Sequence, residues 1–270
     1  MAVVLDAILA AMRRRRPHAR GPWLAGLSGL PGSGKSTLAH PLARAARGRG
    51  VRTEVLSLDD FYLGRRARLR LANDVHPLLA TRGVPGTHDL GLLRRTLAGF
   101  ARASARRPVA LPRFDKGRDT RVPPSHWRRV VEPPRLVVLE GWCVGVPAQS
   151  AGASRTPVNA LERDEDRDGR WRRLADAQLA GAYAALWRRL DQLVLLEAPD
   201  WAVVARWRGE QECRLRERGA ARAMDAPTLR RFLMHYERIG RHALRELPRR
   251  AGVRIELRRD RSVRRIVVAT

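Results

Sequence analysis

Gly29, Gly34, Lys35 and Ser36 occur in the stretch GLPGSGKST at the spacing G-x-x-x-x-G-K-[ST]. Residues of these types in this order suit one task, the holding of a polyphosphate. Glycines let the chain curl until successive N–H groups converge on phosphate oxygens, and a helix opening at that point adds partial positive charge. The expected phosphate contacts are Gly29, Gly32, Ser33, Gly34, Lys35, Ser36 and Thr37, with the Ser36 hydroxyl a ligand for Mg²⁺ and Lys35 also a catalytic charge. The lysine itself is informative. Of 54 basic residues only Lys35 and Lys116 are lysine. In a chain so biased toward arginine, a retained lysine marks a place where a compact point charge works and a guanidinium fork does not.

Carboxylates supply the second part of the chemistry. SLDDFYL offers Asp59 and Asp60. A phosphotransferase acting on an alcohol needs a carboxylate near Mg²⁺ to orient the acceptor hydroxyl and take its proton, with Asp59 ahead of Asp60 for that role and Asp59 also expected to join Ser36 and Glu140 in organising the metal. The alternative is that one of them caps a following helix. LVVLEGW resembles a Walker B strand with Glu140 as its acid, which holds a Mg²⁺-bound water or else is a surface carboxylate after a strand.

The remaining clusters concern the acceptor and a lid. HPLLATRGVPGTHD contains a turn at Pro85 and Gly86 with Thr87 or Asp89 as the next N-cap, and that is its whole role on one reading. On the other, His76, Arg82, Thr87 and His88 form a cradle for a small anionic or polyhydroxy acceptor. LPRFDKGRDTR gathers Asp115, Lys116, Arg118, Asp119 and Arg121, and the lysine argument assigns Lys116 to the site. Arg206, Arg208, Arg214, Arg216 and Arg218 fall on one helical stretch, as in a lid that shields a transferring phosphoryl group; the first three are expected against the nucleotide.

These residues need a scaffold, and the pattern of alternating apolar runs and helical segments supplies βαβ units on a mostly parallel sheet. Strands are expected at Trp23 to Gly29, Arg52 to Leu58, Arg135 to Gly141, Gln192 to Ala198 and Val253 to Leu257, with RRIVVA as an edge. Helices are expected at Lys35 to Arg47, Asp89 to Ala103, Trp171 to Arg189, Trp201 to Arg218 and Pro227 to Leu247, and an N-terminal surface helix closes before Pro17. Asp59 and Asp60 then sit at the C-terminal end of a strand, the edge where open α/β sheets bind ligands. The reading is one domain over residues 1–270, with an N-terminal helix within 1–20, an acceptor-binding insertion at 64–133 and a lid-like helix at 200–220. The stretch from PAQSAG to DRDG reads as a mobile loop with a turn at Asp168 and Gly169.

Composition narrows the function further. A net charge of +27 attracts polyanions, but the arginines are spread along the chain, including the run Arg13 to Arg16, and read as a solvated surface. No basic stripe interleaves with aromatics, so the sequence leans against nucleic acid. Trp142, Trp171 and Trp207 read as packing. Cys143 and Cys213 build neither a disulfide framework nor a metal-ligand spacing. No run reaches the ~18 apolar residues of a membrane span, and the expectation is a cytoplasmic protein without a membrane partner.

Taken in order, the P-loop, SLDDFYL, HPLLATRGVPGTHD, LPRFDK, LVVLEGW, VNALE and WRGEQECRLR resemble the D-glycerate 3-kinase-like branch of P-loop kinases, related to phosphoribulokinase, uridine kinase and pantothenate kinase. The resemblance runs from about Trp23 to about Leu247. It implies an α/β P-loop NTPase fold with an inserted substrate-binding segment and a helical lid, ATP with Mg²⁺, Asp59 as the base, and Asn159 and Glu162 near the acceptor. Pro31 and Thr120 depart from the pattern, and both departures bear on the acceptor. The expected activity is ATP-dependent phosphorylation of D-glycerate to 3-phosphoglycerate. The alternatives are a nucleoside, pantothenate or sugar-phosphate kinase, or a nucleotide-gated ATPase that holds nucleic acid.

Overall fold

The computed structural model describes residues 1–14, 21–150, 152–217 and 224–269. Arg15, Arg16, Pro17 and Arg218 lie outside the described residues. Among the described residues six strands form the main sheet: β1 (Trp23–Gly29), β2 (Thr53–Ser57), β7 (Leu136–Gly141), β8 (Gln192–Glu197), β9 (Val253–Leu257) and β10 (Val263–Val268). Their order is β10-β9-β8-β1-β7-β2, parallel throughout except for the antiparallel edge pair of β9 with β10. Two small antiparallel pairs lie between β2 and β7: β3 (Val109–Leu111) with β6 (Arg128–Val130), and β4 (Phe114–Asp115) with β5 (Thr120–Arg121).

Every residue of β1 and β7 is buried, as strands must be when helices cover both faces of a parallel sheet. On one face, α1 (Ala2–Arg13), α2 (Lys35–Gly48) and α8 (Val203–Glu217) close over Leu27, Val138 and Val194, with Leu5, Ile8, Leu42 and Trp207 filling the layer. On the other, α4 (Leu90–Gly99) and the helix running from α6 (Arg170–Gln178) to α7 (Ala184–Trp187) cover Leu24, Val137 and Leu139. The long α9 (Ala226–Glu246) gives Leu229 and Leu233 to the first layer and Tyr236, Ile239 and Ala243 to the second. Each fully buried side chain of this size stabilises the fold by about 1.5–3 kcal/mol.

The strands and helices follow the sequence pattern to within a few residues, but two segments differ from expectation. The insertion contains a further helix, α3 (Arg65–Asp74), whose buried Arg68 donates to the carbonyls of Leu63 (3.0 Å) and Ala80 (2.5 Å) and to Asp119 (2.6 Å). The expected mobile loop before Gly169 instead carries α5 (Ala160–Glu165) and is held down by buried ion pairs. Arg238 from α9 grips both oxygens of Glu162 (2.8 and 2.6 Å) and the carbonyls of Ala153 and Thr156. Arg172 donates to one carboxylate oxygen of Asp166 (2.9 Å) and to the carbonyls of Ser154 and Asp166, while Gly169 makes the turn at φ +73°.

Candidate active site

The C-terminal ends of β1, β2 and β7 meet at one edge because the strands are parallel and in register: Ser57 lies beside Glu140, and Glu140 beside Leu27. A cleft of about 660 Å³ opens there, lined by the P-loop, Asp59, Tyr62, Arg82, Lys116, Glu140, Trp142 and residues of α8 and α9. Both lysines of the chain are in it. Gly34 caps α2 at φ +94°, leaving the first-turn N–H groups directed into the cleft without a side-chain partner. Gly32, at φ +84°, is pressed against α8: a Cβ there would lie 2.8 Å from the Cβ of Trp207.

Lys35 Nζ folds back onto the carbonyl of Leu30 (3.1 Å), and the Ser36 hydroxyl donates to Glu140 (2.8 Å). Burial pushes the Lys35 amine below its ordinary value, against the pull of Glu140 and Asp59. Asp59 follows β2 in a 3₁₀ turn (Leu58–Phe61). One of its oxygens accepts from Tyr62 Oη (2.6 Å) and the other from Lys116 Nζ (2.6 Å). Burial alone would raise this carboxyl, but the Lys116 charge and the two hydrogen bonds outweigh it and hold the group well below the usual carboxylate range.

An aromatic wall backs these groups. Tyr236 stands edge-on to Trp142 (4.8 Å between ring centres) and donates to the carbonyl of Arg82 (2.9 Å). Trp142, read from sequence as packing alone, lines the cleft and also bonds the carbonyl of Gly83 (2.9 Å). Arg208 closes the α8 side, held by Gln211 and by the buried Glu212 (2.6 Å), which also accepts from the backbone of Met224. A neighbouring recess of about 440 Å³ on the far flank of the P-loop is lined by Ser33, Thr37, Arg214 and apolar residues of α1, β9 and β10.

Several expected site residues do other work. Asp60 turns away to accept from the backbone of Phe114 (3.0 Å). Gly29 lies under the P-loop with no room for a Cβ between Ser33 and Leu196. His76 is buried away from the cleft, where Nδ1 caps a short turn at Leu78 and Nε2 faces Asp166 at 3.5 Å. Thr87 is sealed inside its turn, bonded to Gly83 and Val84, and Asp89 is the N-cap of α4. His88 lies behind Tyr62, its ring 4.7 Å from that tyrosine and its Nδ1 2.6 Å from Tyr183 Oη. Asp115 accepts from the backbone of Gly117 and Arg118, while Arg121 bonds Tyr62 O and Asp89. Arg206 is half-exposed and pairs with Glu210. Asn159 caps α5 and Glu162 is locked to Arg238, so neither faces the cleft.

Tyr62, Tyr236, Gln211 and Glu212 escaped the sequence reading. Tyr62 alone carried a local signal: in a 3₁₀ turn, residues three apart eclipse, which puts it over Asp59. The other three reach the cleft only through the packing of α8 and α9.

A P-loop at the edge of a parallel sheet, facing a strand-end aspartate and a strand-end glutamate across a solvent cleft, defines a P-loop kinase. The comparisons agree. An uncharacterized kinase of Schizosaccharomyces pombe, mug58, is 33% identical over 245 residues, covering 87% of this chain and 85% of that one. The chloroplastic D-glycerate 3-kinase of Arabidopsis thaliana is 29% identical over 211 residues, 76% of this chain and 44% of that longer protein. In fold, a D-glycerate 3-kinase from Cryptococcus neoformans superposes with a TM-score of 0.81 at 24% identity, covering 99% of this chain and 98% of that one. No family model matches. The chain belongs to the same family of kinases as mug58, and it is similar to D-glycerate 3-kinases in sequence and in fold.

Proposed function

We propose that the protein transfers the γ-phosphoryl group of ATP to the 3-hydroxyl of D-glycerate. The observation that carries this reading is the meeting of Lys35, Ser36 with Glu140, and Asp59 in one cleft that also holds the second lysine, Lys116. Chain segments then take the roles of one kinase domain: residues 64–133 frame the acceptor and α8 serves as the lid.

The P-loop N–H groups and Lys35 hold the phosphates, with Lys35 leaving the Leu30 carbonyl for them. Ser36 and Glu140 present hard oxygen donors 2.8 Å apart, a set suited to Mg²⁺. Asp59, whose oxygens accept from Tyr62 and Lys116, takes the role of base once Lys116 leaves it, and its freed oxygen can then join Ser36 and Glu140 at the metal. Bound there, Mg²⁺ would neutralise phosphate charge. The acceptor oxygen attacks the γ-phosphorus, its proton passes to Asp59, and ADP leaves with the electron pair of the broken bond. Tyr62 steadies the carboxylate, Arg208 offsets charge on the transferring group, and the aromatic wall excludes water.

The test is ADP release with Mg-ATP and D-glycerate, L-glycerate, uridine, pantothenate, ribulose 5-phosphate or no acceptor. Turnover that requires D-glycerate and falls by about 10²-fold or more in Asp59→Asn is expected. Release indifferent to acceptor overturns the assignment.

A further inference from the structure

Among the cations lining the cleft, three are committed to partners other than the base. Lys35 is on a carbonyl of its own loop, Arg82 is bonded to Asp119 (2.5 Å), and Arg208 is bonded to Gln211 and Glu212. Lys116 differs. Its side chain is 60% exposed at the rim, and its charge partner is Asp59, the group the transfer needs. We propose that Lys116 is a latch that reads the charge of the acceptor: it holds the base until an anionic group on the substrate draws the ammonium away. The proposal rests on the reading of Asp59 as the base.

The geometry supports an exchange of partners. Lys116 sits in the turn between β4 and β5, where Asp115 accepts from the N–H groups of Gly117 (2.9 Å) and Arg118 (3.0 Å). The backbone is therefore anchored while a four-carbon stem leaves the ammonium free to swing. Tyr62 stays on the other carboxylate oxygen, so release of Lys116 uncovers one oxygen of Asp59 without freeing the whole side chain. An acceptor carboxylate or phosphate replaces one anion by another at the ammonium. A neutral polyol offers no such exchange, and the base stays covered.

The same geometry accounts for lysine where this chain otherwise uses arginine. A guanidinium would grip a carboxylate through two parallel hydrogen bonds, compete with Tyr62 and resist release. A single-point ammonium lets go.

The experiment measures kcat and KM for matched pairs, D-glycerate with glycerol, pantothenate with pantothenol, and ribulose 5-phosphate with ribulose, in the wild type, Lys116→Met and Lys116→Arg. Calorimetric binding of each anion without nucleotide is the second readout, and thermal melting confirms the fold of each variant. The wild type is expected to favour the anion of its productive pair, and Lys116→Met to shrink that preference by about 10- to 100-fold, with a matching loss of anion affinity. Lys116→Arg should keep the affinity within a few-fold but lose kcat. A preference unchanged in Lys116→Met, or a wild type favouring the neutral partner, overturns the latch. If a different anion proves to be the acceptor and Lys116→Met abolishes the preference for it, the glycerate assignment falls and the latch stands. Undiminished turnover in Asp59→Asn removes the base, and the latch with it.

Discussion

Lys35 and Lys116 show how far residue type alone carries. A composition bias toward arginine made each lysine an exception, and the structure brings both to one cleft around Asp59. The histidines misled for the opposite reason: His76 and His88 lie in a segment that looks like a ligand cradle, yet both are buried and bonded within the scaffold. A side chain's type says what it can do, while only the packing says which way it faces. The sharpest residue-scale prediction concerns Lys35. Replacing it with arginine keeps the charge but widens and lengthens the head group in a loop where Gly32 already touches α8. Lys35→Arg should lower kcat by about 10²-fold or more with an unchanged melting temperature, read by ADP release and thermal unfolding.

At the scale of elements, the strands were legible because buried parallel strands are continuous apolar runs, and the P-loop and Asp59 inherit their positions from β1 and β2. The helices α3 and α5 were not. Their sequences, RRARLRLAND and ALERDE, lack an apolar stripe: α3 buries only Arg68, and the six-residue α5 buries Leu161 alone beside the charged Glu162. Arg68 on α3 and Glu162 on α5 are pinned by partners distant in the chain, Asp119 and Arg238, and no local pattern announces a pair 51 or 76 residues apart. Such pairs are costly to break from one side. Glu162→Gln leaves the Arg238 guanidinium buried against a neutral amide and should destabilise the protein by about 3–5 kcal/mol, measured as a lower urea midpoint. A shift under about 0.5 kcal/mol would show that the segment before Gly169 is held by something else.

For the molecule as a whole, the acid limit of stability follows from two buried imidazoles in separate parts of the fold, His88 against Tyr62 and Tyr183 and His235 against Trp171. His88 and His235 are both nearly inaccessible, and burial pushes each down to about 4, against attraction from Asp59 for His88 and despite a backbone hydrogen bond for His235. Unfolded, each would titrate near 6.5. Below that pH the unfolded chain therefore binds more protons than the folded one, and stability falls as pH falls until the folded imidazoles also protonate near 4. Between pH 7 and pH 5 the loss is about 2 kcal/mol for each histidine. The net charge of +27 acts in the same direction, because protonating carboxylates removes the anions that offset 54 basic residues. Urea midpoints at pH 7, 6 and 5 should decline steadily, and His235→Gln, remote from the cleft, should flatten the decline by about 2 kcal/mol without altering it above pH 7. A slope unchanged in that variant would remove His235 from the account and leave His88 and charge repulsion, which added salt separates, because it screens repulsion between surface charges but leaves the cost of protonating a buried imidazole in place.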